Sequence, residues 1–357
     1  MISVLLALAA QAAAPPARTW PTRERDIVLK DFRFGSGETL PELRMHVTTL
    51  GSPHRDRAGR IDNAVMVLHG TGGDGKQFLR PQFADELYGP GQPLDINRYW
   101  ILLPDNVGHG KSSKPSDGMR MRFPKYDYDD MVKAQHRMLT EGLGVTHLRL
   151  IFGTSMGCMH AFVWGETYPD FTSALMPMAC QPIEIAGLNR MWRQLVIDGI
   201  KSDPAWGEGK SAGEYDQEPV AGLRTAQSIL FIAGGAPLYL QKTYPTREKA
   251  KAFVEESVEK GIGALDANDM IYQFESSRNY NPWPKLEAIT APMTWINSAD
   301  DFINPRNLDV PRQAVKRMKN ARFRLIAETA DTRGHGTHTW AKFWKADLIE
   351  LLQRSEQ

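Results

Sequence analysis

The chain has 357 residues, 42% apolar and 24% charged, the balance of a folded globular protein with room for one large domain and an insertion, or for two ordinary domains. A formal net charge of +1 without any run of Lys or Arg gives no reason to expect nucleic acid or an anionic membrane as partner. The nine histidines show no HExxH or paired Cys/His spacing, so neither a metal site nor another cofactor is expected.

Met1 to Ala10 form an apolar run too short to cross a bilayer, followed by Gln11-Ala12-Ala13-Ala14-Pro15-Pro16. Residues 1–14 read as a secretory signal with a small-x-small cleavage pattern, which places the mature protein in the periplasm or outside the cell, with the cytoplasm as the alternative. No later segment reaches about 18 uninterrupted apolar residues, so no membrane span is expected. Asp26–Phe34 and Leu43–Leu50 alternate and are separated by a Gly-rich turn, the pattern of an antiparallel edge. Short apolar runs without alternation follow at Ala64–Leu68, Tyr99–Leu103, Leu148–Phe152, Ala174–Ala179, Met293–Asn297 and Phe323–Ala327, as strands buried on both faces should look. Helical patterns lie between them, notably Asp129 to Leu143, with acidic residues at its start and Gly142 and Gly144 at its end. A last helix is expected over Trp340 to Leu352.

This alternation predicts an α/β fold with a mostly parallel central sheet and helices on both faces. The stretch from Gln181 to Ala291 breaks the rhythm, with helical segments such as Leu188–Ile197 and Arg247–Glu259 and no strong strand. It reads as a helical cap: residues 24–181 and 291–357 form the core and 182–290 the cap. Cys158 and Cys180 allow at most one bridge, and their apolar surroundings favour buried free thiols.

The chemistry concentrates at Gly153-Thr154-Ser155-Met156-Gly157, a G-x-S-x-G elbow after a buried strand and before a helix. The tight turn requires small residues two before and two after the serine, and it pushes the Ser155 oxygen above the sheet. Acyl transfer through a serine needs two donors for the developing oxyanion. The Met156 amide is one and the Thr71 amide, in His69-Gly70-Thr71-Gly72-Gly73, is chosen as the other. Asp105 and His109, in the loop after the next strand, read as structural. The acid and base should follow in the order Ser, acid, His. Asp301, with Pro305 four residues on, is preferred over Asp300 as the acid, and His335 over His338 as the base. Arg278 is the one cap residue proposed for gripping a carboxylate.

These residues resemble homoserine O-acetyltransferases and their esterase relatives in the α/β-hydrolase superfamily. The likeness is densest at Leu87-Tyr88-Gly89-Pro90-Gly91, Asp95, Tyr99-Trp100, Phe123-Pro124 and Asp130 to Gln135. It continues through Gly153 to Ala161, Trp164 and Tyr168-Pro169. By resemblance, Ser155 is the acyl-enzyme nucleophile, Asp301 the acid and His335 the base, within an α/β-hydrolase fold. The chain departs from the acyltransferase pattern at Gly157-Cys158 and at Lys111-Ser112-Ser113-Lys114-Pro115, segments taken to border the acyl and acceptor sites. The reading is a serine hydrolase of small-molecule carboxylic esters. The alternative is an O-acyltransferase acting on homoserine or another small alcohol, and a non-catalytic binding protein on the same scaffold ranks third. The oligomeric state stays open, a homodimer being one option.

Overall fold

The structure, a computed structural model, describes residues 18–207, 211–263 and 265–356; the apolar leader lies outside them. Eight strands make one sheet: β1 (Thr22–Arg33), β2 (Thr39–Leu50), β3 (Ala64–Leu68), β4 (Trp100–Pro104), β5 (Leu150–Thr154), β6 (Leu175–Met178), β7 (Met293–Ser298) and β8 (Ala321–Ile326). Their order is β1-β2-β4-β3-β5-β6-β7-β8, parallel from β4 to β8 and antiparallel where β2 meets β1 and β4. Strands β3 to β7 are buried at every position, which is why their sequences run apolar without alternation. The two edges carry the charge: Arg23, Glu24, Arg25, Asp26 and Lys30 on β1 and Arg322 and Arg324 on β8 are exposed.

Helices α1 (Pro81–Leu87), α2 (Tyr128–Arg137) and α3 (Met156–Thr167) pack on the sheet, α2 and α3 on one face with Met131, Phe162 and Trp164. Phe83, Phe152, Trp344 and Leu348 fill the other face. Helix α3 is apolar all round because it is buried all round. Asp127 caps α2 by accepting from the Asp130 amide at 2.9 Å, and a single wider turn over Met138–Gly142 extends it to the end expected from the sequence.

Between β6 and β7 the described residues form helices alone: α4 (Gly187–Lys201), α5 (Pro204–Gly207), α6 (Val220–Ala233), α7 (Pro237–Thr243), α8 (Arg247–Ile262) and α9 (Ala267–Glu275), then one 3-10 segment. Trp192, Ile197 and Ile200 on α4, Leu223 and Ala226 on α6 and Ile271 and Phe274 on α9 form a small core of their own. Two further helices, α10 (Val310–Ala314) and α11 (Lys345–Arg354), complete the core. The helix expected from Trp340 therefore starts late: two 3-10 turns, Gly334–Thr339 and Ala341–Phe343, come first, and the Trp344 indole fixes this path by donating to the His338 carbonyl at 3.1 Å.

The cysteines are not free thiols. Cys158 and Cys180 form a disulfide with Cα atoms 5.8 Å apart. Strands β5 and β6 are neighbours, so the first turn of α3 and the end of β6 meet side by side, a proximity that a spacing of 22 residues does not reveal. Ser112 and Ser113 are also placed differently from expectation. Their hydroxyls accept from the His46 and Arg44 amides of β2, each at 2.9 Å, so this departure from the acyltransferase pattern pins a loop to the sheet.

Closing a loop of this length should stabilise the fold by about 3 kcal/mol. Cys158→Ser/Cys180→Ser should lower the unfolding free energy by about 2–4 kcal/mol in urea melts. An unchanged midpoint in the double variant would show that the bridge does not contribute.

Candidate active site

The site starts from the turn between β5 and α3. Ser155 sits at φ 53°, ψ −110°, outside the regions a residue with a side chain prefers. The close approach around it explains the flanking glycines. A Cβ on Gly153 would strike the Gly157 carbonyl, and one on Gly157 would strike the Leu68 carbonyl at the end of β3. The Gly157 amide donates to the His69 carbonyl at 3.0 Å, which ties the elbow to the β3 loop.

Above the turn the structure brings three expected residues together. His335 Nε2 lies 2.8 Å from Ser155 Oγ and His335 Nδ1 lies 2.9 Å from an Asp301 carboxylate oxygen. Asp301 is 2% exposed. Burial would raise its pKa, but the His335 charge and donors from His335, Asn304 and Ile303 together hold it below the ordinary carboxylate value. Asp300 instead accepts from Thr332 Oγ1 at 2.7 Å and from the Gly334 amide at 3.0 Å, holding the loop that carries His335. His338 packs edge-on against His335, ring centroids 5.3 Å apart, and is not brought to Ser155. Neither the Met156 amide nor the Thr71 amide has an acceptor among the described residues, and Thr71 lines the same cavity as Ser155 and His335.

Two cavities, of about 300 and 340 Å³, meet at Ser155, Arg193 and Ile303. The first is mainly apolar, with Met159, Ile183, Ile185, Leu188 and the disulfide residue Cys180. The second adds Thr71, Gln227, Gln273, Trp192 and Phe274. Arg278 is not there. Its guanidinium donates to the Tyr126 carbonyl at 2.7 Å and lies 3.8 Å from Asp127, so it joins α9 to the start of α2. The arginine that reaches the site is Arg193 on α4. It is 2% exposed and held by Asn189 at 2.9 Å and Ser277 at 3.2 Å, with no carboxylate within ion-pair distance among the described residues. Nothing in the local sequence separates Arg193 from the more exposed Arg190, so sequence reasoning misses it. Its lining of the pocket follows from α4 packing against α6 and α9. The buried Tyr128 hydroxyl lies among Thr71, Ser277 and Arg193.

Below the Thr71 loop lies a buried polar chain. His69 Nε2 accepts from the Asn106 amide at 3.0 Å, and Gln135 links Asn106, His160 (3.1 Å) and the Trp164 indole (2.6 Å). Asp105 accepts from the Gly75 and Lys111 amides, each at 2.8 Å, and His109 Nδ1 donates to the Val107 carbonyl, so both are structural.

A family model described as the alpha/beta hydrolase fold matches residues 63–332. A homoserine O-acetyltransferase of Geotalea daltonii is 30% identical over 83% of this chain and 88% of its own. Among solved structures, homoserine O-acetyltransferase from Bacillus anthracis superposes with a TM-score of 0.81 at 20% identity, over 94% of this chain and 99% of that one. The acetyl esterase MekB superposes with a TM-score of 0.79 at 23% identity, over 93% and 97%.

Burial pushes His69 and His109 below the ordinary imidazole value of 6.5, and His160 down to about 3. The unfolded chain protonates these rings near pH 6.5, while the fold excludes the protons until well below it. The share of the unfolding free energy carried by these rings therefore falls as pH drops from about 6.5 toward 4, while burial, by raising Asp130 and Asp269 to about 6 and Glu218 to about 7, acts in the opposite sense over the same window. Asp301, whose carboxylate is favoured in the fold, loses its contribution only at lower pH. Urea midpoints of the parent and of His160→Gln at pH 7.5, 6 and 5 isolate one ring: the variant should lose less stability on acidification than the parent, and parallel profiles would contradict it.

Proposed function

Because the chain belongs to the α/β-hydrolase family, and within it to the homoserine O-acetyltransferase-like proteins and their esterase relatives, we propose that it transfers short acyl groups from esters through an acyl enzyme on Ser155. The observation that carries this reading is the continuous hydrogen-bonded line Ser155–His335–Asp301 over a strained turn. His335 Nε2 takes the proton of Ser155 Oγ as that oxygen attacks the carbonyl carbon. The oxyanion lies between the Met156 and Thr71 amides. As the tetrahedral intermediate collapses, the bond to the leaving oxygen breaks and His335 returns the proton to it. Asp301 keeps the imidazole in the tautomer with Nδ1–H and stabilises the imidazolium. An acceptor hydroxyl then enters, gives its proton to His335 and attacks the acyl carbon; as this second intermediate collapses, the bond to Ser155 Oγ breaks and His335 returns the proton to that oxygen.

A small alcohol bearing a carboxylate is the acceptor that two observations favour. The relatives at 24–31% identity are homoserine acyltransferases or a protein named as an acyltransferase, and Arg193 offers an unneutralised cation beside Ser155. Water is the second reading. The Cys158–Cys180 bridge favours it, since such bridges persist in oxidising compartments, where acyl-CoA is absent.

Ser155→Ala should abolish turnover and fluorophosphonate labelling while the fold persists. His335→Ala should cut kcat by about 10³-fold or more, and His338→Ala by far less. The opposite order would reassign the base. Incubation with an acetyl ester and millimolar homoserine, followed by mass spectrometry, separates the acceptors. Free acetate alone means hydrolysis. O-acetylhomoserine means transfer, and Arg193→Gln should then raise the KM for homoserine while sparing hydrolysis of nitrophenyl acetate.

A further inference from the structure

The loop that carries His335 is held from two sides. On the core side, Asp300 accepts from Thr332 and from the Gly334 amide. On the other side, the contact is with the helices between β6 and β7. Arg333 lies face-on over the Tyr239 ring of α7, with its guanidinium carbon 3.5 Å from the ring centroid, and the Trp340 ring lies 4.9 Å away from the same carbon. Next to this stack Gly334, at φ +56°, presses against the α6–α7 joint so closely that a Cβ there would strike the Gly235 carbonyl. Lys242 of α7 reaches Asp331 at 3.0 Å, an exposed pair that adds little by itself. The same joint, through Gly235, Ala236 and Pro237, also borders a cleft whose opposite wall is Asp300, Asp301 and Phe302. One short piece of the inserted helices thus touches the loop that carries His335 and faces the loop that carries Asp301 across a cleft.

We propose that Tyr239 and Arg333 are positioning residues: their cation–π stack, with Gly334 lodged on Gly235, seats the α6–α7 joint on the His335 loop. The imidazole is in register with Ser155 only while that joint is docked. This rests on the acyl-enzyme reading for its consequence in catalysis, but its structural content is independent of it. Neither Arg333 nor Tyr239 lines the cavities at Ser155, so neither touches substrate. The stack acts on geometry alone.

Three proteins test this: the parent, Tyr239→Leu and Tyr239→Phe. With a nitrophenyl acetate assay, Tyr239→Leu should lose about tenfold to a hundredfold in kcat with KM little changed, because misplacement of one catalytic group acts on the chemical step. Tyr239→Phe keeps the ring face and should stay within about twofold of the parent. Hydrogen exchange gives a readout that does not need activity. The amides of residues 331–336 should exchange faster in Tyr239→Leu and at the parent rate in Tyr239→Phe, with the global urea midpoint shared by all three. Equal exchange and equal kcat in all three proteins would overturn the proposal. So would equal impairment of both variants, which would assign the effect to the phenol hydroxyl, or a loss in kcat that only follows a lowered midpoint. If the parent neither turns over esters nor labels at Ser155, the acyl-enzyme reading fails while the exchange comparison still decides the clamp.

Discussion

Everything at the site depends on how closely three backbone segments can approach. The end of β3, the end of β5 and the first turn of α3 meet so tightly that carbonyl oxygens occupy the space where side chains of residues 153 and 157 would be. Ser155 is held at positive φ by that crowding, and its oxygen has nowhere to point except over the strand ends. The strain is local, but its support is distributed. A parallel sheet buried on both faces and a helix buried on all sides give the turn no room to relax.

The inserted helices contribute in a different way. They have a small apolar core of their own, while Tyr272 of α9 joins the core on the α3 face of the sheet. Through α4 they deliver Arg193 to the wall shared by both cavities, and through the α6–α7 joint they abut the His335 loop. On the two proposals made above, substrate choice and alignment of the imidazole would fall to a unit whose sequence can change while the sheet stays intact.

How much of this is legible in the sequence follows from how local each feature is. The elbow, the buried strands and the order Ser155, Asp301, His335 are readable because each is written in short stretches of consecutive residues. Even the choice between Asp300 and Asp301 has a physical reading: one carboxylate takes the ring and its neighbour takes the backbone of the same loop. What is not legible depends on contacts between distant segments. The Cys158–Cys180 bridge requires knowing that β5 and β6 are neighbours. Arg193 and Arg278 look alike in sequence, and only helix packing turns one into the site and the other onto a carbonyl. The late start of α11 follows from the Trp344 indole binding the His338 carbonyl, a tertiary contact that overrides a good helical pattern.

The distribution of charge on the sheet edges bears on life in a crowded solution. Among the described residues the eight-stranded sheet does not close, and an open edge is a template on which a stranger's strand could zip. Here the β1 rim offers closely spaced Arg, Glu, Asp and Lys side chains and the β8 rim two arginines. A strand approaching either rim must strip water from those ions before it gains its first backbone bond. Solubility during synthesis and folding is thereby guarded at the two places where the topology leaves the sheet open, well away from the chemistry at its centre.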